Sequence, residues 1–359
     1  MNLNMAEDPS IKPDARSPFA VPEQSTNSII PWVIVFMMSI YVIGLSYYAT
    51  HRTVPEPAFA FYNTTQVNVR VYPSEMDHSV YGIFHNIIES SRKTLEAQPD
   101  SLEEGQFVVN FEVNSPRPAE LYLNDNPISI FLIPDSNLSV SLFYDSLSQE
   151  IDSVSFQGFT EGICNYYREK NTSLGRSQVR AFQTSMASPD LLQQARFFDS
   201  LARNELSFLL IRSDPNRLPS WFIDFEKNEI LYQKAYLKLF TAKNQEPYPG
   251  YLDEVMLSNE GAVFSYYYYL FLDTYFNKIL ADQGQALATG VAGRVNLLNT
   301  AAKELVGESF EVYATRVVFQ FLNQNGVAET KRLMEQVRPL FDARKYLRFL
   351  AREIEKREQ

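Results

Sequence analysis

The chain has 359 residues, 45% of them hydrophobic, and a formal net charge of −11. That apolar content supports real cores, and the length suits two domains on the usual ~100–200-residue scale. The acidic balance argues against nucleic acid, whose binding rests on clustered Lys and Arg, and the single cysteine, Cys164, excludes an intrachain disulfide, a CxxC motif and a multi-Cys zinc site.

Residues 1–28 contain prolines and no hydrophobic period, and are expected to form a flexible tail. Ile29–Tyr48 follows as an apolar run without a charged residue. Its length matches the ~20 residues of a membrane-spanning helix. Ser28 is placed to cap it, Pro31 falls in its first turn, and Trp32, Tyr47 and Tyr48 sit near its ends, where aromatic rings favour the headgroup level. The expectation is an uncleaved signal anchor contacting the lipid bilayer. A buried core helix and a cleaved signal peptide are the alternatives, the latter having a shorter apolar core behind a basic segment. Flanking Lys and Arg nearly balance, so charge does not decide orientation. Residues 49–64, with Pro55 and Pro57, read as an extended linker.

From Thr65 to Gly158 the pattern is mainly β. Val67, Val69 and Val71 alternate with polar residues, and Phe107, Val109, Phe111 and Val113 share a face. Turn chemistry at Asn124-Asp125-Asn126-Pro127 and Pro134-Asp135-Ser136-Asn137 separates further strands. Such spacing predicts a small antiparallel sandwich or open barrel. One inserted helix is expected over His78–Gln98, where Val80, Phe84, Ile87, Ile88 and Leu95 form a stripe.

From Phe159 to Gln359 the period becomes helical. Asp190 opens a long apolar-faced segment that ends at Asp214-Pro215, and further helices are expected over Trp221–Phe240, Asn259–Ala281, Gly293–Val306, Ser309–Asn323, Val327–Val337 and Asp342–Lys356. The fold class is thus α+β: one transmembrane helix, a β domain over 65–158, and an all-α array over 159–359.

Motifs that carry chemistry are sparse. There is no GxSxG, P-loop or GxGxxG. His78 and His85 would share a helix face two turns apart, too far for convergent metal ligation. In Tyr266-Tyr267-Tyr268-Tyr269, consecutive helical residues point in four directions, so core packing is the default. Tyr266, Tyr267 and Tyr269 are the candidates for an aromatic sugar- or peptide-binding platform. Cys164 reads as a small buried residue. Nine Lys/Arg residues lie between Lys331 and Arg357, interleaved with acids. They describe either a solvated helix with i,i+4 pairs such as Glu353–Arg357, or a docking surface.

FLIPDSNLSVSLFYDSLSQEIDSVSFQGFTEGICNYYREK, Phe131–Lys170, resembles the region that precedes the thioredoxin fold in TlpA-like envelope proteins. The matching positions are Pro134, Asp135, Ser136, Phe156, Gly158, Asn165 and Tyr166, with FSYYYYLFLDTYF resembling a tyrosine-rich helix downstream. The chain ends about where the thioredoxin domain would begin, and no WCxxC-like motif is present, so redox activity is not implied. The resemblance implies a periplasmic location, with the tail cytoplasmic and the anchor in the inner membrane. The expected function is a periplasmic, membrane-anchored binding or scaffold protein for another envelope protein, with no catalysis, cofactor or metal of its own. A subunit docking a thioredoxin-like partner in trans and an enzyme with an interdomain cleft are the alternatives.

Overall fold

The structure, a computed structural model, describes residues 37–39, 41, 58–74, 78–99, 103–175, 182–183, 190–242, 253–284 and 290–359. The chain divides into two units, 1–54 and 55–359. In the first, only Met37, Met38, Ser39 and Tyr41 are described, all helical and exposed.

The expected membrane-spanning helix is corrected here: no helix among the described residues is long and apolar enough to cross a membrane. The most apolar helix of the second unit has 17 residues and carries Asp273, Lys278 and Asp282, short of the ~20 uncharged residues a span needs. Most of the Ile29–Tyr48 run, with Trp32, Tyr47 and Tyr48, lies outside the described residues. The anchor and the single-pass inner-membrane location are therefore withdrawn.

The described residues of the second unit open with the strands β1 (Thr64–Tyr72), β2 (Val80–Asn86), β3 (Ser91–Glu96), β4 (Gln98–Pro99), β5 (Gln106–Glu112), β6 (Arg117–Leu123), β7 (Asn126–Leu132), β8 (Asn137–Asp145) and β9 (Glu150–Gly158). They form a five-stranded sheet in the order β4-β5-β1-β8-β9 and a four-stranded sheet in the order β3-β2-β6-β7. Pairing is antiparallel except between β1 and β8, which run parallel with Tyr72 opposite Phe143. The alternation seen in the sequence is the packing: Val67, Val69, Val71, Val109, Phe111, Leu138, Val140 and Leu142 are all buried. Phe84 meets Phe111 edge-on at 5.7 Å across the sheets. Gly82 is required at this contact, because a Cβ there would fall 2.3 Å from the Phe111 ring.

The helix expected over His78–Gln98 is instead the β2–β3 hairpin. Val80, Gly82 and Phe84 fit a two-residue period as well as a four-residue one, and sheet pairing with β6 decides between them. Asn86 Oδ1 accepts the N–H groups of Ile88 and Glu89 at 3.0 and 3.2 Å, which ends the strand. Ser90, at φ 53°, reverses the chain.

Among the described residues the helices that follow are α1 (Glu161–Lys170), α2 (Leu191–Ser213), α3 (Ser220–Ala242), α4 (Tyr266–Asp282), α5 (Val291–Glu304), α6 (Gly307–Val337) and α7 (Arg344–Lys356). Asp190 caps α2 by accepting the N–H groups of Leu192 and Gln193. Ser265 caps α4 through the Tyr268 N–H at 3.1 Å. The break expected between Asn323 and Val327 is present inside α6, where Gly326 takes φ 78°.

The β and helical regions share packing. Phe131 of β7 packs on Tyr167, Trp221, Phe222 and Phe225. Ile87 and Ile88, in the β2–β3 turn, are buried in the core of the helical region. Arg316, 1% exposed, holds that turn: it donates to the Ile87 carbonyl at 2.6 Å, to Ser90 Oγ at 2.8 Å and to Asp273 at 2.9 Å. Arg316→Met is expected to cost about 3 kcal/mol in denaturant unfolding, since it strands a buried carbonyl and a carboxylate. A loss under about 0.5 kcal/mol, the range of an ordinary surface substitution, would contradict this role. The chain ahead of β1 is docked, not a free linker: Phe61 stacks on Phe349 of α7 at 4.4 Å, and Tyr62 donates to Glu353 at 3.0 Å.

Candidate functional site

The tyrosine run is divided between the core and the surface. Tyr268 and Tyr269 are fully buried, and Tyr269 donates its hydroxyl to the Val263 carbonyl at 2.7 Å. Tyr266 and Tyr267 are partly exposed; Tyr266 packs on the His85 ring at 5.3 Å, and Tyr267 accepts from Gln233 at 3.0 Å. The rings meet in two pairs, Tyr266 with Tyr267 at 5.7 Å and Tyr268 with Tyr269 at 5.3 Å.

The histidines do not converge. His78 precedes β2 and contacts the Pro73 carbonyl and the Asn124 amide, while His85 lies on β2 and is pushed below its usual value by burial and by Arg92. Glu89, four residues after His85, pairs with Lys93 at 2.6 Å. His51 lies outside the described residues. No group of His, Cys, Asp and Glu among the described residues is arranged to hold a metal. Cys164 is buried at the start of α1 and accepts the Phe131 N–H at 3.4 Å; burial pushes its thiol up to about 11. That keeps it a thiol at neutral pH.

Displaced ionisations concentrate where the sheets meet α1, α3 and α4. Lys170 bridges Glu205 and Glu226 at 2.7 Å each. Glu226 also accepts the hydroxyls of Tyr166 at 3.1 Å and Tyr167 at 2.7 Å. Burial pulls the Lys170 ammonium down, but the two carboxylates outweigh it and raise it above the usual lysine value. Arg117 is lowered to about 9 by burial, and its guanidinium is spent on the Ser115 carbonyl and hydroxyl and on the His85 carbonyl. Burial pushes Glu229 up to about 7, against the Tyr266 N–H it accepts at 2.6 Å. Perturbed groups often mark active sites. Here each is committed to a cap, a turn or a helix–helix tie.

Glu229 gives a pH signature. Its folded-state value exceeds its usual 4.5, so its contribution is complete below about 4.5 and is lost as pH rises through about 7. The melting temperature of Glu229→Gln relative to the unsubstituted chain should therefore rise between pH 5 and pH 7.5. A constant difference would show that Glu229 titrates normally.

The α6–α7 junction differs, because its polar groups are not used up. The chain leaves α6 through a 3-10 turn at Arg338–Leu340 and returns as α7. Glu311 sets the return angle, accepting the N–H groups of Asp342 and Ala343 at 2.6 and 2.9 Å. One face of α7 enters the core through Tyr346, Phe349 and Leu350. The adjacent face and the end of α6 enclose a groove of about 750 Å³. Its apolar floor is Met334, Leu347, Ala351 and Ile354, at the i, i+3, i+4 spacing of a helical stripe. Its rim carries Arg338, Arg344 and Arg348, for which no ion pair occurs among the described residues, together with Glu335 and Glu355. Lys331 pairs with Glu358 within the groove lining.

Sequence reading located the basic segment but not the groove. Glu353 pairs with Lys356 rather than Arg357, and Arg357 bonds Asn323. The contrast between the core-facing residues of α7 and its unpaired arginines was the available signal. Comparison with protein-family models and with curated proteins finds no match for this chain. The TlpA-like likeness thus rests on the residues quoted for it.

Proposed function

We propose that this chain is a non-catalytic binding module whose α6–α7 groove receives an amphipathic helix of a partner protein. The observation that carries the reading is the unused chemistry of the groove: an apolar floor rimmed by Arg338, Arg344 and Arg348, which have no ion pair among the described residues, beside Glu335 and Glu355. Helix-in-groove recognition needs an apolar trough for i, i+3, i+4 anchors and a charged rim that fixes orientation. The volume of about 750 Å³ falls within the usual range of binding clefts. Arginine on the rim favours bidentate pairing with carboxylates, so the occupant is acidic beside its apolar stripe.

The test is a pair of designed helical peptides with one apolar stripe, flanked by Glu in one and by Lys in the other. Fluorescence anisotropy should show the acidic peptide binding at least about tenfold tighter, with that preference reversed by Arg344→Glu/Arg348→Glu. Equal affinities, or a preference that survives charge reversal, would overturn the proposal.

A further inference from the structure

A second cavity, of about 540 Å³, opens at the ends of β1 and β8 and is lined by Tyr72, Pro73, Phe143, Tyr144, Asp145 and Asp152. Its construction follows from the one parallel pairing in the sheets. Because β1 and β8 run the same way, both deliver their last residues to the same edge, and Tyr72 lies opposite Phe143. The two rings stack at 5.0 Å with 16° between planes, yet remain 37% and 45% exposed. Tyr144 is braced by the His78 ring, edge-on at 5.4 Å. The β8–β9 pairing slips between Phe143 and Tyr144, whose partners are Ser153 and Ile151. Asp152 is thus the extra residue of a bulge, and bulges re-aim side chains. Here Asp152, left without a cross-strand partner, lines the cavity with Phe143 and Tyr144.

We propose that this pocket binds an organic cation: an ammonium, quaternary ammonium or guanidinium group on an apolar stem. Three aromatic rings present negative π faces and apolar area. Two carboxylates supply the matching charge, and no basic side chain lines the cavity. Arg70, two residues before Tyr72 on the same face, hydrogen-bonds the Tyr72 side chain and pairs with Glu103 at 2.8 Å, so its charge is already matched at the rim and it is not part of the lining. Of the two acids, Asp145 Oδ1 accepts the Leu147 N–H at 2.9 Å, so Asp152 is the freer charge. A neutral ligand would leave both carboxylates uncompensated, whereas a cation satisfies rings and acids together.

The experiment titrates the whole chain by NMR with choline, with its neutral isostere 3,3-dimethylbutanol, and with Nα-acetyl-lysine amide. The cations should bind saturably and at least about tenfold tighter than the alcohol, and more weakly at high salt. Tighter binding of choline identifies a small-molecule cation as the ligand, and tighter binding of the lysine amide identifies a protein side chain. Asp152→Asn and Phe143→Leu should each weaken binding about three- to tenfold with unchanged circular dichroism. The proposal fails if alcohol and cations bind alike, if no cation binds, or if both variants bind choline like the parent chain.

Discussion

Leu142→Asp and Phe156→Asp are expected to abolish the cooperative folding of the β region. Leu142 is fully buried on the inner face of β8, and Phe156 is 3% exposed on β9. An aspartate at either place meets only apolar neighbours, and an isolated carboxylate cannot be left there without a large penalty. The loss should exceed about 5 kcal/mol, most or all of the stability of an ordinary domain. Ser139→Asp, exposed on the same strand as Leu142, should change stability by less than about 0.5 kcal/mol. Denaturant unfolding of the three variants checks the facing of the whole sheet. Similar midpoints for all three would contradict that facing.

Lys170→Met is the second large effect. Its ammonium is the cation paired with both Glu205 and Glu226, whose side chains are 7% and 2% exposed. Removing one member of a buried charged set costs about 3–5 kcal/mol, and two carboxylates left together place this at the upper end. The sign with pH follows from linkage. In the native chain, Lys170 has a raised folded-state value, so its stabilisation is present below the usual lysine range and stays level from pH 5 to pH 9. A double variant, Lys170→Met with Glu205→Gln, should recover part of the loss. A double variant no more stable than Lys170→Met alone would show that the two carboxylates are not left in conflict.

What could be read from the residues depended on how local the signal was. Val67, Val69 and Val71 declare a half-buried strand within seven residues, and Asp190 declares a helix start within three. Gly326 breaks α6 where the apolar stripe faltered. The β2–β3 hairpin was misread because Val80 and Phe84 satisfy both periods, and only pairing with β6 separates them. The anchor inference rested on an apolar run that the described helices do not support. Both candidate sites escaped for a different reason. The groove joins Met334 to Leu347 and Ile354 across a turn, and the pocket joins Tyr72 to Phe143 across a parallel pairing. Neither juxtaposition has a sequence period. Tyr266–Tyr269, conspicuous in sequence, mostly serves the core because consecutive helical positions diverge.

The central claim, that the α6–α7 groove is where a partner docks, is tested most directly by mapping its occupant. A photo-crosslinking residue placed at Ala351, and separately at the exposed Leu210 of α2, would be activated in the native cell. The crosslinked peptides would then be sequenced by mass spectrometry. Ala351 should capture one defined segment with an apolar i, i+3, i+4 stripe flanked by Asp or Glu, and Arg344→Glu/Arg348→Glu should abolish the capture. Capture of the same products from Leu210, or capture that survives the double charge reversal, would contradict the account.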